Sequence, residues 1–135
     1  MEFQIDPTTR VPIYRQLMDQ IREAVARGRL KAGVRLPSVR VLSRELVVNP
    51  NTIARVYSEL ERDGILNTRP GLGVFVAEAQ PELSAAARRQ RLAEIIDAFL
   101  TDAVHLSFSS EEVLAAVSKR IRGFQFLEGA ASDQN

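Results

Sequence analysis

Apolar residues recur every four positions from Ile13 through Leu17 and Ile21 to Val25, with Pro12 ahead of them and Gly28 behind. Proline suits the first turn of a helix and glycine supplies the left-handed residue that ends one, so the pattern predicts a first helix over 12–27. The stretch 29–37 holds Gly33 and Pro37, with Leu30 and Leu36 as apolar anchors, and reads as a short extended connection. Ser38 can then cap a second helix over 38–46, which puts Val39, Leu42 and Leu46 on one side. Two valines break that pattern before Asn49 and Pro50. Asn-Pro is a clear start signal: the asparagine oxygen can accept from free first-turn amides, and proline has no amide to leave unsatisfied. A third helix is predicted from Pro50 to about Asp63, with Gly64 as its stop.

Spacing at 100° per residue sorts the third helix into two faces. With Asn51 at zero, Val56, Leu60, Ile53 and Tyr57 fall at roughly 140°, 180°, 200° and 240°, a compact stripe for a core. Arg62, Arg55 and Thr52 fall at roughly 20°, 40° and 100°, on the opposite side. That outer face begins with amide and hydroxyl groups and continues with guanidinium groups.

Two β-prone runs, 66–69 and 74–76, flank Pro70-Gly71-Leu72-Gly73 and predict a hairpin whose glycines permit positive φ at the tip. The segment 77–83 has the proline and polar residues of a linker. Beyond it Leu92, Ile95, Ile96, Phe99, Leu100, Ala103 and Val104 form a helical stripe over 84–105. Ser109 and Glu112 make a capping box for a fifth helix, with Phe108 and Val113 at staple positions. Its apolar residues are Val113, Leu114, Val117 and Ile121. Phe124, Phe126 and Leu127 are expected to dock on other residues, and 129–135 to be disordered.

The fold class this implies is mainly α with a small β-hairpin wing. A winged helix-turn-helix domain over 1–79, with its helix-turn-helix at 38–63 and wing at 66–76, precedes a two-helix segment over 80–135. At 135 residues, 45% of them hydrophobic, the chain can bury a core but cannot hold a large multidomain enzyme. It has no cysteine and one histidine, His105. Disulfides, thiolate metal sites and cysteine nucleophiles are therefore excluded, and His105 reads as a helix-end residue. Glu111 and Glu112 are adjacent and do not face each other on a helix, so they do not form a catalytic pair. No catalytic residue, metal site or cofactor is expected. No apolar run approaches the roughly 20 residues of a membrane span, and the first residues lack a signal-peptide pattern, so a cytoplasmic protein without membrane partners is expected.

The formal net charge of +1 is uninformative, but its distribution is not. Residues 1–80 hold 12 basic and 9 acidic side chains, against 6 and 8 in residues 81–135. Between positions 31 and 55, Lys31, Arg35, Arg40, Arg44 and Arg55 face only Glu45. A short helix leading by a tight turn into a second helix, with asparagine, threonine and arginine on its outer face, suits the major groove of DNA. Asparagine pairs bidentately with adenine, arginine with guanine, and threonine offers a hydroxyl or methyl contact. A wing carrying Arg69 and the backbone at Gly71 suits a phosphate run or the minor groove.

Five segments carry a family resemblance. They are Pro12-Ile13-Tyr14-Arg15-Gln16-Leu17, Gly33-Val34-Arg35-Leu36-Pro37-Ser38-Val39-Arg40, Val48-Asn49-Pro50-Asn51-Thr52, Asp63-Gly64, and Arg69-Pro70-Gly71-Leu72-Gly73-Val74-Phe75-Val76. In this order, over about residues 3–77, they resemble the winged helix-turn-helix domain of GntR-family transcription regulators. The two-helix tail resembles the YtrA subfamily, in which such helices serve dimerisation. The resemblance implies DNA contacts from Ser38, Arg40, Asn49, Asn51, Thr52, Arg55, Arg69 and Gly71. It implies a dimer interface of Leu92, Ile95, Ile96, Phe99, Leu100, Val113, Leu114, Val117 and Ile121. Some members carry arginine where this chain has Pro50 and Ala54, so their base preference does not transfer.

The expected function is a sequence-specific regulator, a repressor that binds a double-stranded inverted-repeat operator as a homodimer. The sequence assigns no small-molecule effector. The competing reading, a winged-helix protein-interaction module without DNA readout, fits the exposed Asn51, Thr52 and Arg55 less well. Relatives with a fused aminotransferase-like domain exist, but the residues after the linker are too few for such a fold.

Overall fold

The computed structural model describes residues 3–78 and 84–126. The chain divides into two compact units, Met1–Ala79 and Gln80–Asn135.

In the first unit α1 spans Ile13–Ala26, α2 Val39–Leu46 and α3 Pro50–Arg62, followed by strands β1 (Leu66–Arg69) and β2 (Gly73–Val76). Each helix buries the stripe that its spacing predicts: Leu17 and Ile21 from α1, Leu42 from α2, and Ile53, Val56, Tyr57 and Leu60 from α3. Leu30, Leu36, Leu66 and Val76 close this core from the connection and the wing. Burial of these apolar side chains is the main force holding three short helices together, none of which is long enough to persist alone.

Local chemistry sets the boundaries. Ser38 Oγ accepts from the Val41 amide at 3.1 Å and starts α2. Asn49 Oδ1 accepts from the Asn51 amide at 2.8 Å, with Pro50 at the first helical position of α3. Gly28 and Gly64 take positive φ after α1 and α3. The α2 stop is unexpected. Val47, a β-branched residue, adopts the left-handed conformation at φ 54° and ψ 50°. It opens the three-residue turn before α3, and Ser43 Oγ donates to the Val48 carbonyl at 2.6 Å to hold the far side of that turn.

The hairpin pairs Leu66 with Val76, Asn67 with Phe75, Thr68 with Val74 and Arg69 with Gly73. At its tip the Leu72 amide donates to the Arg69 carbonyl at 2.9 Å, and Gly71 has φ +76°, the geometry for which Pro-Gly at a turn centre is suited. The connection before α2 does more than extend. Its Gly33 and Leu36 amides donate to Val76 and Val74, and Val76 donates back to Val34, so the connection lies along β2 as a third strand-like edge. Residues ahead of α1 are strapped to it by two glutamines. Gln20 exchanges hydrogen bonds with the Gln4 backbone at 2.9 and 2.7 Å, and Gln16 does so with Asp6 at 2.8 Å each way.

The second unit is two helices, α4 (Ala85–His105) and α5 (Ser110–Ile121). The predicted capping box is present: the Glu112 amide donates to Ser109 Oγ at 3.1 Å, and the Ser109 amide to Glu112 Oε1 at 3.0 Å. Hydrogen bonding to the carboxyl from the Ser109 backbone amide, and secondarily from the Ser109 side chain, holds Glu112 below its ordinary pKa. Among the described residues of this unit only Ala103 is buried. Leu92, Ile95, Ile96, Phe99 and Leu100 of α4 are 41–56% exposed, and Leu114, Val117 and Ile121 of α5 remain uncovered as well. Phe124 and Phe126 lie with ring centroids 6.5 Å apart beside Phe99, Val117 and Ile121, lining an apolar depression of about 390 Å³. The expectations for Leu127 and 129–135, and for most of the linker, lie outside the described residues.

Candidate nucleic-acid interface

Two elements of the first unit present polar groups outward, α2 with its preceding cap and the first turns of α3. They are tied together at the α2 entrance, where the buried Tyr57 of α3 donates its hydroxyl to the Pro37 carbonyl at 2.7 Å. Burial, with the nearby Glu45 charge, pushes the Tyr57 pKa far up, so the hydroxyl keeps its proton and remains a donor at any physiological pH. Ser38 and Arg40 therefore have a fixed position against α3. Both are exposed.

Capping leaves part of each cap residue available. Ser38 Oγ accepts from Val41 yet retains a hydroxyl proton that can be donated outward, and Asn49 retains two amide donors after its oxygen is used. Asn51 is exposed and Thr52 half-buried on the next positions. The amides at this helix start and the positive end of its dipole favour an anion nearby.

Arg55 is placed differently from a free side chain. Its guanidinium carbon stands 3.9 Å from the centroid of the Tyr14 ring, which comes from the first turn of α1. A cation over an aromatic face is attracted by the ring quadrupole, so Tyr14 limits the directions Arg55 can take. On the wing Arg69 stacks in the same manner, 4.3 Å from the Phe75 ring centroid, while Gly71 is exposed at the tip. Tyr14 and Phe75 escaped the sequence reading as site residues. Tyr14 falls at roughly 100° from Ile13, within the apolar arc of α1, so its spacing reads as core and gives no signal of a site.

The structure thus gathers Asn49, Asn51 and Thr52 on the first turn of α3. It sets Arg55 one turn further on against α1, Ser38 and Arg40 on α2, and Arg69 and Gly71 on the hairpin. None of Arg40, Arg55 and Arg69 has an ion-pair partner among the described residues. No cluster of metal-ligating side chains occurs among them either.

The profile of the gntR family of bacterial regulatory proteins matches residues 13–76, the region from α1 to the end of the wing. The HTH-type transcriptional repressor YtrA of Bacillus subtilis (strain 168) is 32% identical over 123 residues, covering 89% of this chain and 95% of that protein. The chain belongs to the GntR family. A second relative, the HTH-type transcriptional regulator YhcF of the same organism, is 39% identical over 83% of this chain and 92% of its own length. Among solved structures, a transcriptional antiterminator from Listeria monocytogenes EGD-e superposes with a TM-score of 0.73 at 30% identity, covering 88% of this chain and 89% of that one. As a GntR-family member the protein is a DNA-binding transcription regulator and not an enzyme, and its resemblance to YtrA extends through the C-terminal helices. No described helix is long and apolar enough to cross a membrane.

Proposed function

We propose that this regulator is a cytoplasmic repressor that binds an inverted-repeat operator as a homodimer. Residues 1–79 serve as the DNA-binding head and residues 80–135 as the dimerisation segment. In this reading α3 enters the major groove with Asn51 and Thr52 at base edges. Ser38, Arg40 and Asn49 meet the flanking backbone, and Arg55 is directed by Tyr14. Arg69 and the Gly71 backbone follow a phosphate run or the minor groove. Occupancy of the operator then excludes the polymerase. The repressor name carried by the Bacillus relative supports the negative sign of regulation.

The observation that carries the dimer is the second unit's surface. Its two helices bury a single alanine and leave eight large apolar side chains of the proposed interface uncovered. Burial is worth about 25 cal/mol per Å² of apolar surface, so a second copy laid against this face gains far more than solvent offers. A two-fold interface also imposes its symmetry on the heads, and therefore on the site they prefer. Sedimentation of the full chain, with selection of bound duplexes from a random pool, tests the proposal. The expected result is a dimer at micromolar concentration and an inverted repeat with half-sites about one helical turn apart. Truncation after Glu78 should give a monomer that binds the full site far more weakly, because the effective concentration of the second head is lost. A monomeric full-length chain, or an asymmetric selected site, would refute the reading.

A further inference from the structure

The outer face of the wing carries a second cation that the DNA-binding reading leaves unassigned. Arg35 lies on the strand-like connection and forms an antiparallel bridge with Phe75. Bridge partners share a face of a sheet, as do register partners. Asn67 pairs with Phe75 and Arg69 with Gly73, two residues away on β2, so Arg35, Asn67, Arg69, Gly73 and Phe75 all lie on one side.

Gly73 takes φ +124°, a conformation that favours glycine in its own right, and the Arg35 side chain occupies the space beside it. A Cβ built there would sit 2.8 Å from Arg35 Nε and 3.4 Å from its guanidinium carbon. The Arg35 side chain therefore lies directly across the strand at Gly73, in the space another residue would fill. From the other side Arg69 is stacked on Phe75 at 4.3 Å. Two guanidinium groups thus converge on one short stretch of β2. No carboxylate pairs with either among the described residues, and both arginines are exposed. Like charges held together without a counter-charge favour an anion between or beside them. On the same face Asn67 keeps a buried Oδ1 with no hydrogen-bond partner.

We propose that Arg35 is a phosphate-binding residue of the wing, working beside Arg69 on the DNA backbone. The proposal rests on the DNA-binding reading above. Its occupant is fixed by charge complementarity and by continuity with Arg69: the polyanion is the same duplex that α3 reads. Arg35 therefore adds affinity for every sequence and no base preference.

Titration of the full-length chain, as wild type, R35M, R35Q and R35K, against its selected duplex and a scrambled one at 50 and 200 mM salt tests this. Methionine keeps an apolar stem over Gly73 without the charge, glutamine keeps polarity, and lysine keeps the charge. Loss of one phosphate contact changes the salt slope by about 0.9, so the affinity advantage of wild type over R35M or R35Q should shrink about 3.5-fold between the two salts per bound head, or about 12-fold with two heads bound. The deficit should be equal on both duplexes, and R35K should restore most of it. A deficit independent of salt would mean that Arg35 only props the wing, and would overturn the proposal. Unchanged binding in both neutral variants would do the same and turn attention to an acidic protein as the occupant. If wild type itself bound no duplex, the DNA-binding reading would fall first, which is distinguishable from a wild type that binds and an R35M that matches it.

Discussion

Val47 is the one position of the helix-turn-helix where the residue opposes its backbone. It is 90% exposed, with φ 54° and ψ 50°. The left-handed conformation costs an L-residue about 1–2 kcal/mol, and branching at Cβ makes valine one of the worst occupants. Exposure means that removing the side chain forfeits almost no packing. Asparagine tolerates this conformation without the added backbone entropy of glycine, so Val47→Asn should stabilise the fold by about 1 kcal/mol. Glycine removes the strain completely but costs about 0.5–1 kcal/mol in unfolded-state freedom, so Val47→Gly should gain less. For a cooperative unit of this size 1 kcal/mol corresponds to about 4–8 °C in Tm. Thermal unfolding by circular dichroism at fixed protein concentration measures it, with Val47→Ala as a variant that relieves only the branching. A Val47→Asn chain that melts at or below the wild-type temperature would show that Val47 makes an unrecognised compensating contact, and the strain argument would fail.

Leu60→Ala, at a fully buried position of α3, should cost about 2–5 kcal/mol in urea unfolding, and a loss well under 1 would mean that the core closes over the gap. Tyr14→Leu should weaken specific DNA binding about 2–5-fold by releasing Arg55, since an exposed cation–π contact is worth about 0.5–1 kcal/mol, while Tyr14→Phe should retain it in the same titration. Glu112 has a folded pKa below its ordinary value near 4.5. Its cap is therefore fully effective above that value and is lost as pH falls through the lower folded one, so helicity in an acid titration should drop less steeply in Glu112→Gln than in wild type.

The helices were legible because their signals are local. The four-residue spacing from Ile13 to Val25, the Asn49-Pro50 start and the Ser109–Glu112 box each need only a few neighbouring residues, and each element begins or ends within about a residue of the expected place. The hairpin followed from Pro70-Gly71. What escaped depends on contacts distant in sequence. Nothing near Val34 announces that it will pair with Val76, and nothing near Tyr14 announces Arg55, forty-one positions away. The i, i+4 pair of Gln16 and Gln20 could have hinted at the strap to residues 4–6, but exposed glutamines on a helix usually face water. Val47 was misleading in a different way. Two consecutive valines suggest extended chain, and a left-handed stop ordinarily shows itself as glycine or asparagine. For the candidate interface, residue types and helix faces gave the outward positions, whereas the aromatic supports under Arg55 and Arg69 required the tertiary fold.

The most direct test of the DNA face formed by α2 and α3 is a titration of Arg40→Ala and Arg55→Ala against the selected operator, beside thermal melts that verify folding. Both residues are exposed, so Arg40→Ala should melt within about 0.5 kcal/mol of wild type and Arg55→Ala, which also loses its contact with Tyr14, within about 1 kcal/mol. Each should lose affinity: Arg40→Ala alike on all sequences, as a backbone contact, and Arg55→Ala by about 1–3 kcal/mol with relaxed preference at one base pair if it reads a guanine bidentately. Two folded variants that bind the operator as tightly as wild type would contradict that assignment and return the protein to an interface elsewhere on its surface.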